Sequence, residues 1–232
     1  MLMMPATPVY FRQMPQSAQR GASLIVVLLI LIVVSILGVG GAQIALMAER
    51  GSRNDRDMQM AWQAAEAALI DAELDLTTPA SSASSPARGS IFGMTIVGTP
   101  PRNVQAEKVN IVNFTTTCGT KTDVNANGQS TWGLCSLPAT GKPACLTANF
   151  ESTGNSATTV EFGRFTGRTF AAGALGAQPV QAPRYVIEAI PDEGAASRDK
   201  TAPELNYVYR VTSMGFGPRV DIQAVVQMVY RN

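Results

Sequence analysis

No residue between Ala22 and Ala48 carries a charge, and this gap decides most of what the chain can fold into. Leu24 to Val34 is an unbroken run of Leu, Ile and Val, extended by Ile36, Leu37 and Val39. At roughly 0.3–0.6 kcal/mol each near a bilayer centre, these aliphatic residues favour insertion by about 4–8 kcal/mol. As a helix the uncharged stretch spans about 40 Å, against about 30 Å of hydrocarbon. The reading is one tilted membrane helix over about residues 22–45. Residues 1–21 carry Arg12 and Arg20 and no acid. The positive-inside rule keeps that end cytoplasmic and exports the rest.

Two plainer readings compete. One is an unspecialised signal anchor. The other is a secretory signal peptide cut at the small residues Gly38, Gly40 and Ala42, although the apolar core exceeds the usual signal-peptide length. Gly38, Gly40 and Gly41 each weaken a helix by about 1 kcal/mol relative to Ala. They fit close helix–helix contact in the membrane, or a point that melts when subunits pack.

Beyond the gap, Met58, Trp62, Ala65, Leu69, Ala72 and Leu76 recur at spacings of four and three, which predicts one packing stripe along a helix. The abundant alanine favours helix and allows close packing. Pro79 and the run Ser81–Ser85 stop it. One helix over 22–76, about 80 Å long, is expected. Its first half is apolar all round and its second half needs a partner surface. Residues 77–90 read as a linker and 91–232 as an exported head.

In the head, Ile91–Val97 reads as a first strand, and 99–183 as loops and short strands. Arg184–Ile190, Leu205–Met214 and Val220–Arg231 read as three strands. In the last, Val220, Ile222, Ala224, Val226, Met228 and Tyr230 alternate with the other set, one face more buried than the other. Gly215-Phe216-Gly217-Pro218 is the expected turn before it. The fold class is α+β, with the amphipathic half of the long helix laid on an antiparallel sheet.

The chemistry the chain can carry is narrow. Its net charge is +1, which offers no basic surface for nucleic acid, and it has no histidine. That removes Ser-His-Asp and Cys-His catalysis and the common zinc sites. Cys118, Cys135 and Cys145 are too widely spaced for a CxxC motif and suit a local disulfide. Cys118–Cys135, closing a loop tipped by Asn125-Ala126-Asn127-Gly128, is favoured; Cys135–Cys145 stays open. Asp123-Val124-Asn125-Ala126-Asn127-Gly128 resembles the start of a calcium loop, but Leu134 stands where the bidentate acid belongs. An Asn-Gly turn explains the same letters. Asp192-Glu193, between Pro191 and Gly194, reads as a solvated turn. No cofactor, metal cluster or enzymatic activity is expected.

Arg20-Gly21-Ala22-Ser23-Leu24-Ile25-Val26 resembles the prepilin peptidase site of type IV pilins and type II secretion pseudopilins. The resemblance implies cleavage after Gly21 and N-methylation of Ala22. The stretch Glu49-Arg50…Asp55-Arg56…Ala61-Trp62-Gln63-Ala64-Ala65-Glu66-Ala67-Ala68-Leu69 is similar to the helix of PilX-type minor pilins. Gly133-Leu134-Cys135-Ser136 and Pro183-Arg184-Tyr185-Val186-Ile187-Glu188 are weaker echoes of that group. The chain departs from most pilins at two places. Ala22 replaces an aromatic residue, and Val26 replaces the fifth-position glutamate that pairs with a neighbour's N-terminal ammonium. Subunits with an aliphatic residue there resemble those placed at a tip. The resemblance therefore implies a minor pilin in the initiation or tip complex of a type IV pilus, supporting adhesion and twitching motility. Its implied partners are other minor pilins, the major pilin, the prepilin peptidase, a large tip adhesin and the bacterial inner membrane. The plainer reading of Val26 is a simple extension of the apolar helix. The alternative functions are the tip pseudopilin of a type II secretion system, or an adhesive module on an uncleaved anchor.

Overall fold

The computed structural model describes residues 22–78, 88–97, 103–106, 111–136, 148–173, 178–192 and 207–231. The chain divides into two compact units, Met1–Ser52 and Arg53–Asn232. One helix, α1 (Ala22–Thr77), belongs to both. The strands are β1 (Met94–Val97), β2 (Asn103–Ala106), β3 (Leu134–Ser136), β4 (Val160–Glu161), β5 (Arg184–Pro191), β6 (Tyr207–Phe216) and β7 (Gln223–Arg231). The architecture is α+β: a long apolar helix start and a β-rich head.

The head sheet runs β3-β5-β6-β7, with β4 also on β5. The three C-terminal strands are antiparallel and in unbroken register, from Arg184↔Met214 to Pro191↔Tyr207 and from Phe216↔Gln223 to Val208↔Arg231. The expected antiparallel sheet is present, and β3 extends it at one edge by pairing parallel to β5. The expected first strand is split. Ile91 and Phe92 end a 3-10 turn, Gly89–Phe92, closed by Gly93 at φ +84°. Only Met94–Val97 is strand, and it pairs with β2 outside the main sheet. The expected linker also ends early, because Arg88 is buried.

One face of the sheet carries Tyr185, Ile187, Tyr209 and Val211, which enclose the main core with Ala68, Ala72 and Leu76 of α1 and with Phe92, Phe114 and Trp132. The other face carries Val186, Cys135 and Met214 against Phe150. Along β6 the helix-facing residues shrink in order: Tyr209, Val211, Ser213, Gly215. Ser213 Oγ donates to the Ala65 carbonyl at 2.8 Å. A Cβ on Gly215 would lie 2.1 Å from Ala61 O and 2.3 Å from Ala65 N. Helix and strand backbones touch here.

This close approach corrects the packing stripe. Ala65, Ala72 and Leu76 are buried and Leu69 is half-buried, but Met58 and Trp62 are 44 % and 49 % exposed. The buried face is Ala61, Ala64, Ala65, Ala68, Asp71, Ala72, Asp75 and Leu76. Opposite Gly215 only alanine fits, so the large residues are rotated to the flank. The expected turn is corrected too. Gly215 and Phe216 lie inside β6, and the reversal runs over 217–222, closed by Gly217 N–H to Ile222 O at 2.8 Å.

Candidate functional site

In the first unit the large aliphatic residues of α1, from Leu24 to Met47, are exposed, and Val26 is 56 % exposed. Ser35 Oγ donates to Leu31 O at 2.7 Å, so its hydroxyl is satisfied within the helix. An apolar cylinder of this kind needs lipid or other helices around it. α1 is long and apolar enough to cross a membrane. Among the described residues nothing lies within 4 Å of a Cβ placed on Gly38, Gly40 or Gly41, so their packing does not require glycine there.

In the second unit, α1 is tied to the head by two buried carboxylates one turn apart. Asp75 receives Arg88 Nε at 3.0 Å and Nη2 at 2.7 Å, and Tyr185 Oη donates to Asp75 Oδ2 at 2.8 Å. Arg88 also donates to the carbonyls of Trp132 and Ser130 and stacks 3.8 Å from the Phe165 ring centroid. The Arg88–Asp75 pair thus joins the helix, the 3-10 turn, the cysteine loop and, through Asp75, β5. Burial and the Asp75 charge hold the Tyr185 phenol well above its ordinary range. Asp71 accepts from Gly163 N–H at 2.7 Å and from Thr166 Oγ1, with Arg168 3.8 Å away. Burial raises the Asp71 carboxyl above its usual range, and these donors partly offset that shift.

The cysteine loop is the second built feature. Cys118 and Cys135 form a disulfide, with Cα atoms 4.2 Å apart and Cys118 at φ +62°. Within it, Asn125 N–H donates to Gln129 O, Gly128 N–H donates to Asn125 O, and Gly128 takes φ +76°. Asn125 Oδ1 accepts from the N–H groups of Asn127 and Gln129, and Asp123 Oδ2 accepts from Thr120 N–H. The oxygens of the calcium-like hexapeptide are thus used to fold its own turn. Gln129 Nε2 donates to Ser90 Oγ at 2.6 Å and pins this hairpin beside Arg88. Replacing Cys118 and Cys135 with alanine should cost about 3 kcal/mol for a loop of this length. Thermal unfolding of the full chain in detergent measures that loss.

A family model described as PilX N-terminal matches residues 20–69. A second, described as type IV pilus assembly protein PilX C-term, matches residues 51–232. The chain belongs to the PilX family of type IV pilus assembly proteins. No curated protein and no solved structure matches it.

The PilX matches begin at Arg20, beside the expected processing junction. Gly21 lies outside the described residues, and Ala22 is the first residue of α1. Val26 sits one turn inside it. Cys145 and Glu193 also lie outside the described residues. Asp192 is held by Arg231 at 3.1 Å. Sequence reasoning missed Asp71, Asp75, Arg88, Tyr185 and Gly215 in this PilX head. A signal for Arg88 is present: it is the single charge between Thr77 and Pro101, three residues before Ile91.

Proposed function

We propose that this PilX-family chain is a minor pilin of the complex that initiates a type IV pilus and stays at its tip. Cleavage after Gly21 leaves Ala22 as an N-methylated first residue. The observation that carries the reading is Val26, which is exposed on an otherwise apolar helix where most pilins place a glutamate. A valine offers a neighbour's N-terminal ammonium no counter-charge. A subunit built this way can be followed by others but does not itself recruit through that ion pair. Before assembly the chain sits in the bacterial inner membrane, N-terminus cytoplasmic and head periplasmic. Other minor pilins, the major pilin, the prepilin peptidase and a large tip adhesin are its partners, and adhesion and twitching motility are the outputs. The role is assembly, not catalysis. The family match favours the pilus over the type II secretion apparatus.

Mass spectrometry of the mature N-terminus should find N-methylalanine at Ala22. An intact Met1, or a start near Ala42, overturns the processing claim. Immunogold labelling of sheared fibres should fall at fibre ends. Regular labelling along shafts overturns the tip placement while leaving the processing intact.

A further inference from the structure

A cavity of about 610 Å3 opens between the cysteine loop and two 3-10 turns, Gly89–Phe92 and Ile111–Asn113. Pockets for small molecules usually measure about 300–1,000 Å3, so a ligand the size of a disaccharide fits. The walls are fixed before any ligand arrives. The cysteine loop is closed by its disulfide and folded by its own Asn125 turn. Gln129 ties that loop to Ser90 of the first 3-10 turn. Phe114, directly after the second turn, packs edge-on to Phe92 and stacks on Tyr209. Walls held in place lower the ordering cost of binding.

The lining is polar, and part of it is not engaged. No hydrogen bond among the described residues takes the side-chain carboxamides of Asn113 and Asn127, which both line the cavity. Asp123 gives Oδ2 to Thr120 N–H and keeps Oδ1 for a ligand. Asn125 and Gln129, in contrast, are committed to the turn.

These groups narrow the chemistry of the occupant. The hairpin backbone is committed: Asn125 N–H donates to Gln129 O, Gly128 N–H to Asn125 O and Thr131 N–H to Asp123 O. An extended peptide docks on free backbone groups of a strand, so this is a poor seat for one. Asp123 is the one charged residue in the described lining, and no cation stands there to hold a phosphate or carboxylate. A neutral ligand rich in hydroxyls meets both conditions. A carboxamide donates and accepts, as neighbouring hydroxyls do, and a carboxylate oxygen accepts from a hydroxyl. Val112 and Val124 also line the cavity, 81 % and 62 % exposed, and offer apolar contact to the C–H face of a sugar ring.

We infer that this cavity binds a neutral saccharide, with Asn113, Asn127 and Asp123 recognising its hydroxyls. The inference gives the proposed adhesion a ligand class. It concerns the head alone, so it stands or falls separately from N-terminal processing and tip placement.

Calorimetric titration of the full chain in glycan-free nanodiscs tests it with lactose, diacetylchitobiose and mannobiose. At least one of these should bind at millimolar concentration or below. Asn113→Ala and Asn127→Ala should each weaken that sugar about tenfold, the loss expected for one ligand-facing carboxamide. Neither side chain is bonded among the described residues, so both variants should keep the parent's circular dichroism and unfolding midpoint. In the parent, saturating sugar should slow hydrogen–deuterium exchange in residues 111–115 and 122–131. Failure of all three sugars to bind overturns the proposal, as does binding that both variants leave unchanged. Protection confined to other segments overturns it without recourse to any variant. Tighter binding of tetra-alanine or of anionic sialyllactose than of every neutral sugar overturns the ligand class.

Discussion

Replacing Arg88 with methionine, or Asp75 with leucine, should destabilise the head by about 3–5 kcal/mol, because each leaves the other charge buried without its partner. Both side chains are at most 1 % exposed, so water cannot take over. Arg88→Met also strips a donor from the carbonyls of Trp132 and Ser130. Asp75→Leu also strips the acceptor from Tyr185, at a further cost of about 1–3 kcal/mol. The double variant should be less damaged than either single, since a well-packed apolar replacement of a buried pair is often tolerated. Adding Tyr185→Phe should recover more. Thermal or urea unfolding of the full chain in detergent gives the comparison. Losses that simply add would show that the pair, the phenol and the helix are not one unit.

Gly215→Val should be the most damaging single change in β6. Even the first carbon of a side chain would sit 2.1 Å from Ala61 O and 2.9 Å from the Ala64 carbonyl carbon. The obstacles are backbone on a continuous helix, so no rotamer change relieves them. Overpacking commonly costs about 1–3 kcal/mol, and a backbone clash lies at or above the top of that range. Relief requires α1 to lift from β6, which breaks the Ser213–Ala65 hydrogen bond. Hydrogen–deuterium exchange reports on this directly. Amides of α1 from Ala61 to Ala68, covered by β6 in the parent, should exchange faster in the Gly215→Val background. Unchanged exchange there, with faster exchange in β6 and β7, would mean that the sheet yields instead of the helix.

These two variants mark where the sequence is legible and where it is not. The apolar run from Leu24, the helix to Thr77 and the three C-terminal strands follow from periodicity and hydropathy, because each depends on local pattern. The buried face of α1 does not. A stripe chosen by size takes Met58 and Trp62, but the surface it must match, Ser213 and Gly215, is about 150 residues away in sequence and admits only alanine. Asp71 and Asp75 look solvent-facing for the same reason: their partners at Gly163, Thr166, Arg88 and Tyr185 come from distant segments. Strand β3 is three residues long and parallel, too short to announce itself. The cysteine loop lies between. Its Asn-Gly turn is a local signal, whereas the choice of cysteines is set by where β3 lies on the sheet.

The graded face of β6 also governs how the head responds to load. Its helix-facing side chains swell from Gly215 to Tyr209, while α1 swells from Ala61 to Leu76 in the opposite chain direction. Tension applied at the N-terminal end of α1 draws Leu76 toward the gap that accepts only alanine. The joint is a taper that tightens under pull. The same helix pushed the other way meets no such stop, so the head should resist extraction from its sheet far better in tension than in compression.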